Sequence, residues 1–195
     1  MAEQVLASAP ASFLLAGHSM GGRVALEILR RAPRRVAKLM LLDTGYEPRA
    51  PGEQGDRETE QRQRLVALAY GESMRSMGRE WLRGMLPESR WNDEVLVTSI
   101  LAMVERKTPQ IHAAQIRALL TRPDASAVLP GISCRTLLLC GREDRWSPPA
   151  RHEQMTARIP GALLAVIEDA GHMTTMERPE KVSAAMRNFL CAAAP

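Results

Sequence analysis

The hexapeptide Gly17-His18-Ser19-Met20-Gly21-Gly22 constrains this chain more than any other feature. A short apolar run, Ser12 to Ala16, leads into it. A helical pattern with Val24, Leu26, Ile28 and Leu29 leaves it and is closed by Pro33. A G-x-S-x-G turn between a strand and a helix reverses so sharply that side chains do not fit on both flanks of the serine. It forces Ser19 into a strained backbone conformation and lifts its hydroxyl clear of the strand ends. The backbone N–H of Met20 then points at an oxygen that gains charge in acyl transfer, as an oxyanion donor. Strand, tight turn and helix in that order are the opening of an α/β unit.

Three more apolar runs stop at Gly or Asp in the same way. They are Val36 to Leu42 before Asp43-Thr44-Gly45, Thr136 to Cys140 before Gly141-Arg142-Glu143-Asp144, and Ala162 to Ile167 before Glu168-Asp169-Ala170-Gly171. Four such runs predict about four strands buried on both faces of a parallel sheet. Helical patterns near 22–31, 149–158 and 179–191 fill most of the gaps, so the fold class is α/β. The interval from Tyr46 to Gly131 offers no strand. It reads as about four amphipathic helices near 57–70, 73–86, 92–106 and 110–121, with Pro87, Pro109 and Pro123 as breakers. The expected organisation is a core of residues 1–45 and 132–195 and an inserted helical cap, 46–131, as a lid over the C-terminal edge of the sheet.

Composition narrows the class of molecule. The 195 residues are 45% hydrophobic and 25% charged, the balance of a globular domain rather than a disordered, fibrous or disulfide-rich chain. A chain of this length buries roughly 70% of its unfolded surface and needs no metal or disulfide to hold a core. The net charge of +4 is carried by arginine, the only lysines being Lys38, Lys107 and Lys181. These arginines are interleaved with acids, as in Arg57-Glu58-Thr59-Glu60-Gln61-Arg62. The one tight cluster, Arg30, Arg31, Arg34 and Arg35, falls at a helix end, where cations suit the dipole. Nucleic acid is therefore not an expected partner. No stretch approaches the ~18 apolar residues of a membrane helix, and the N-terminus lacks a basic n-region, so neither membrane nor export is expected. Cys134, Cys140 and Cys191 are an odd set without metal spacing, which predicts reduced thiols, no metal site and a cytoplasmic location.

A serine hydroxyl needs a base, and the base needs an orienting group. Of His18, His112, His152 and His172, only His172 follows a predicted strand on a loop, the position where reacting groups collect in open parallel sheets. His112 and His152 fall within helical patterns and read as surface or packing residues. His18 adjoins the serine, but its side chain should diverge from it and pack or hydrogen-bond near the pocket. Asp144 follows the third strand, and Ser19, Asp144, His172 is a nucleophile–acid–base order. Asp43, after the second strand, is the rival acid, and Asp169 reads as a loop-shaping residue. Trp146 and His18 are candidates to contact substrate; Tyr70, Trp81 and Trp91 are further aromatics that suit a core as well as a pocket.

The motifs GHSMGG at 17–22, LLLCGREDRWSPP at 137–149 and IEDAGHMTTMERPEKVSAAMRNFL at 167–190 resemble those of the α/β-hydrolase fold superfamily, and the resemblance covers nearly everything outside the cap. It implies Ser19 as nucleophile, His172 as general base and then acid, Asp144 as orienting carboxylate and the Met20 N–H as one oxyanion donor. No cofactor is implied. Serine rather than aspartate at the nucleophile position disfavours the dehalogenase and epoxide-hydrolase branches.

The chain departs from that superfamily in one respect. Its sheet has eight strands with the serine turn after the fifth, whereas here the turn arrives at residue 19. The expectation is a chain lacking the first four strands, such as a truncated or mis-started gene product. The first strand would then expose an apolar edge open to self-association. The second oxyanion donor, normally supplied by the loop after the third strand, would be missing at a cost of about 10²–10³ in rate. The expected function is hydrolysis of a small carboxylic ester or related acyl compound through an acyl-enzyme. One alternative is C–C bond hydrolysis of a β-diketone, and another is a non-catalytic, hydrolase-like binding protein.

Overall fold

The computed structural model describes residues 1–192. Its helices and strands run, in chain order, α1 (Ala2–Ser8), β1 (Phe13–His18), α2 (Met20–Arg31), β2 (Val36–Leu42), α3 (Gly52–Gly71), α4 (Met74–Met85), α5 (Glu94–Glu105), α6 (Pro109–Leu120), β3 (Arg135–Gly141), α7 (Pro149–Arg158), β4 (Leu163–Ile167), α8 (Thr174–Glu177) and α9 (Pro179–Cys191). They form two compact units, one of residues 1–46 and 124–195 and one of residues 47–123.

The first unit is built on a four-stranded, all-parallel sheet in the order β1-β2-β3-β4. Alternation along the central strands divides the core. Leu39, Leu41 and Leu138 face one way and pack with Leu26, Ile28 and Leu29 of α2 and Met155 of α7. Met40, Leu42, Leu137 and Leu139 face the other way and pack with Val182 and Phe189 of α9. Only the two central strands are buried on both faces. β1 and β4 are sheet edges, and Leu14 and Leu163 are 55% and 51% exposed, because a strand with one neighbour lacks half the cover of an inner one.

Two features of this unit lie outside the sequence reading. One is α1, a single short helix without a side-chain N-cap. It is tied down by Arg35, whose guanidinium donates to the carbonyls of Leu6, Ala9 and Pro10, and by the Arg31–Glu3 ion pair. The other is its boundary: residues 124–131, expected with the helices, belong here. The Ala125 N–H donates to the Tyr46 carbonyl at 2.9 Å, and Ala125 and Leu129 enter the sheet core.

The second unit is all helical. Leu65, Ala69, Met77 and Val104 form its core with Leu68, Met74, Trp81 and Met103 around them. Ser73, Asp93 and Thr108 cap α4, α5 and α6, each accepting from a backbone N–H three residues on. Arg122 grips Glu58 with two nitrogens at 2.7 and 2.8 Å, and Arg62 adds a third bond at 2.9 Å. Burial alone raises the Glu58 carboxyl pKa, but these two guanidinium groups outweigh it and hold it below its ordinary value. No helix among the described residues is long and apolar enough to cross a membrane.

Candidate active site

The site is assembled where the parallel strands end. Ser19 sits between β1 and α2 at φ 52° and ψ −116°, a strained conformation for a residue with a side chain. The turn is held by the Ser19 N–H donating to Leu42 at 2.8 Å and by the Gly22 N–H donating back to the Ser19 carbonyl at 3.0 Å. The need for glycine falls differently from the expectation of one on each flank. A Cβ on Gly17 would lie 2.5 Å from the Gly21 carbonyl oxygen and one on Gly22 would lie 2.6 Å from the Thr44 side chain, whereas one on Gly21 meets nothing within 4 Å. The crowding comes from the start of the helix folding back on the strand end and from the neighbouring strand.

Ser19, His172 and Asp144 form one hydrogen-bonded series. His172 Nε2 lies 2.8 Å from Ser19 Oγ, and His172 Nδ1 lies 2.8 Å from Asp144 Oδ2. A carboxylate accepts only, so Nδ1 carries the proton and Nε2 is free to accept from the serine hydroxyl. Asp144 and His172 are 2% and 1% exposed. Burial works against the charge on Asp144, but the His172 contact and the backbone N–H groups of Ser147 and Trp146 outweigh it and hold its pKa below the ordinary value. Both N–H groups donate to Oδ1 at 2.8 Å, which leaves Oδ2 to the imidazole. The Trp146 ring lies 5.8 Å from that of His172, centroid to centroid.

The loop bearing His172 is clasped on either side. Buried Glu177 accepts from the N–H of Gly171 at 3.0 Å and from that of Met173 at 2.9 Å. The His172 carbonyl accepts from His18 Nε2 at 2.8 Å, and the same nitrogen is 3.3 Å from Asp43 Oδ2. His18 thus turns away from the serine and toward the His172 backbone, while Asp43 meets His18 and not the imidazole of His172. His152 is fully buried and accepts the Thr44 N–H at Nε2 over 3.2 Å. His112 is a buried residue of α6 in the helical unit. Asp169 adopts φ 59° in the loop after β4. His152, read as a surface or packing residue, is a buried packing residue, while sequence reasoning missed Thr174 and Glu177, the two ends of the four-residue α8, which carry no local signal.

The His18–Asp43 pair makes a testable contribution to stability. Burial lowers the His18 pKa, but the hydrogen bond and charge of Asp43, the His172 carbonyl and the charge of Asp144 together raise it above its ordinary 6.5. A raised folded-state pKa stabilises the protein below the unfolded value, and the contribution disappears as pH rises through the folded value. Thermal melts of wild type and His18→Gln should therefore differ most below about pH 6 and converge toward pH 9. A gap that is constant across that range excludes a charged His18 as its source.

Known proteins resemble this chain in sequence and in fold. The model for the alpha/beta hydrolase family matches residues 2–185. A pimeloyl-[acyl-carrier protein] methyl ester esterase of Aromatoleum aromaticum is 26% identical over 185 residues, covering 91% of this chain and 74% of that protein. A 2-hydroxy-6-oxononadienedioate/2-hydroxy-6-oxononatrienedioate hydrolase of Burkholderia vietnamiensis is 26% identical over 181 residues, covering 90% of this chain and 61% of that one. Among solved structures, a malate-bound thermophilic esterase from Thermogutta terrifontis superposes with a TM-score of 0.82 at 35% identity, over 92% of this chain and 65% of that one. The chain thus spans less than two thirds of the length of the last two. With the family model running almost from end to end over a parallel sheet of the matching fold, the chain belongs to the alpha/beta hydrolase family.

Proposed function

We propose that the protein hydrolyses a small carboxylic ester or related acyl compound through an acyl-enzyme, using Ser19, His172 and Asp144. The observation that carries this reading is the continuous series Ser19 Oγ–His172 Nε2 and His172 Nδ1–Asp144 Oδ2, each contact 2.8 Å. Ser19 Oγ attacks the carbonyl carbon while its proton passes to His172 Nε2. The imidazolium that forms is stabilised by Asp144, which orients the ring and keeps its own charge. The developing oxyanion is met by the N–H of Met20, the first residue of α2, one of the amides that a helix start leaves without an intrahelical partner. His172 then returns the proton to the departing alcohol. Water, activated by the same imidazole, releases the acid. Trp146, beside the imidazole, and His18 are the side chains assigned to the substrate's surroundings, and the expected partner is a small molecule.

The likeness to the Aromatoleum and Thermogutta esterases supports an ester as substrate. The likeness to the Burkholderia hydrolase supports a second reading. A 2-hydroxy-6-oxo dienedioate contains no ester, so water can divide it only at a carbon–carbon bond. The same serine and histidine would serve that reaction.

A fluorophosphonate probe tests the nucleophile directly. Wild-type protein should be labelled at Ser19, and labelling should vanish in Ser19→Ala with the fold intact by circular dichroism. A well-folded wild type that takes no label overturns the reading in favour of a non-catalytic, ligand-binding protein, and a Ser19→Ala variant that labels equally overturns Ser19 as the nucleophile. Turnover of p-nitrophenyl acetate set against that of a β-diketone and of a 2-hydroxy-6-oxo dienedioate separates the two hydrolytic readings.

A further inference from the structure

The two loops that carry Ser19 and His172 hang from one dipeptide. Asp43 and Thr44 directly follow β2 and are 0% and 1% exposed. The Thr44 hydroxyl donates to the Ser19 carbonyl at 2.7 Å, and its side chain fills the space that the missing Cβ of Gly22 leaves. Asp43 Oδ2 accepts from the hydroxyl of Thr174, two residues beyond His172. It also faces His18 Nε2, whose N–H reaches the His172 carbonyl. The dipeptide is itself anchored to β3 and α7. The Asp43 N–H donates to Leu139 at 2.8 Å, the Gly141 N–H donates to Asp43 Oδ1 at 3.0 Å, and the Thr44 N–H donates to His152. Asp43 holds φ 47°, a costly conformation that persists only where surrounding bonds over-determine it.

We infer that Asp43–Thr44 is the positioning device that sets the separation of Ser19 and His172. Thr44 fixes the serine turn through the Ser19 carbonyl, and Asp43 fixes the backbone around His172 through Thr174 and His18. The inference rests on the reading of Ser19 and His172 as nucleophile and base, and it adds the residues that hold them in register. Both residues are too buried to meet substrate, so they act through others. Proton transfer between positioned groups tolerates about 0.5 Å of error, and a misplacement of about 1 Å costs roughly 10²-fold in rate. One rigid dipeptide bonded to both loops is a direct way to stay inside that tolerance.

Thr174 is the place to test it, since its hydroxyl is the contact between Asp43 and the histidine loop that a single isosteric change removes. Thr174→Val should lower kcat for p-nitrophenyl acetate by about 10- to 100-fold with KM within about twofold, measured well below the variant's own melting temperature. Thr174→Ser, which restores the hydroxyl, should return kcat to within about threefold of wild type. In ¹⁵N-histidine spectra, with His172 assigned by its loss in His172→Gln, wild type should show one tautomer protonated at Nδ1. Thr174→Val should show a tautomer mixture or a second set of His172 signals. Unchanged His172 signals in Thr174→Val, unchanged kcat, or no rescue by Thr174→Ser overturns the inference. If Ser19→Ala hydrolyses as fast as wild type, the nucleophile reading fails instead, and the spectra alone then decide the positioning. Thr174→Ala, which removes the same hydroxyl without adding a methyl to its site, takes the place of Thr174→Val should the latter not fold.

Discussion

Asp144→Asn should lower kcat for p-nitrophenyl acetate by about 10⁴-fold while KM changes only severalfold. Asp144 Oδ1 is fully occupied by two backbone N–H groups, so Oδ2 alone faces His172 Nδ1. An amide that keeps its oxygen on the Trp146 and Ser147 amides must turn its NH₂ toward the ring. Nδ1 then becomes an acceptor and the proton moves to Nε2, where it blocks transfer from Ser19. The effect on stability follows separately. Asp144 has a depressed folded-state pKa, so its charge stabilises the protein above about pH 4 and the contribution is lost as pH falls through the folded value. Asn should thus melt below wild type at neutral pH and approach it in acid. Parallel kinetics on Asp43→Asn decide between the two candidate acids. A loss below about tenfold in Asp144→Asn would move the orienting role elsewhere.

Gly141→Ala carries the largest expected cost in stability. The added Cβ would lie 2.1 Å from the Gly171 carbonyl oxygen and 2.3 Å from that of Ala170. Both obstacles are backbone, so no side-chain rotation relieves them. Gly141 ends β3 and donates its own N–H to Asp43, while Gly171 immediately precedes His172, so the strain enters the site from two sides. A destabilisation of about 3 kcal/mol is expected, which for a chain of this size lowers Tm by roughly 6–12 °C. Any folded fraction should also lose about 10²-fold in kcat as the His172 loop is pushed away. Differential scanning calorimetry alongside esterase kinetics checks both. A Tm within about 2 °C of wild type means that the β4–α8 loop yields freely and is not the rigid support described above.

Much of this was legible residue by residue. The helices Pro149–Arg158 and Pro179–Cys191 begin at prolines, a start signal that needs no knowledge of the fold. The run Val36–Leu42 is a strand over its whole expected length. Short α1 was not legible, because what holds it is a set of arginine contacts from more than twenty residues away. The half-exposed faces of β1 and β4 were not either, since apolar content does not reveal which strand lies at an edge.

The division is sharpest among the aspartates. Asp43, Asp144 and Asp169 all follow strands, and two of them share a left-handed φ. Chain order pointed to Asp144, whereas the partners of each were beyond its reach. In the folded chain Asp144 meets the His172 ring, Asp43 meets His18 and the Thr174 hydroxyl, and Asp169 stays on the surface near Arg178 and Lys181. A tight turn and a helix start are local properties, set by bonded neighbours and written in consecutive residues, and the order of candidate groups along the chain is read directly from the sequence. Which buried oxygen faces which nitrogen depends on the register of four parallel strands and the loops that leave them. Those pairings join residues up to 154 apart in sequence, and no stretch of the chain encodes them until packing brings its ends together.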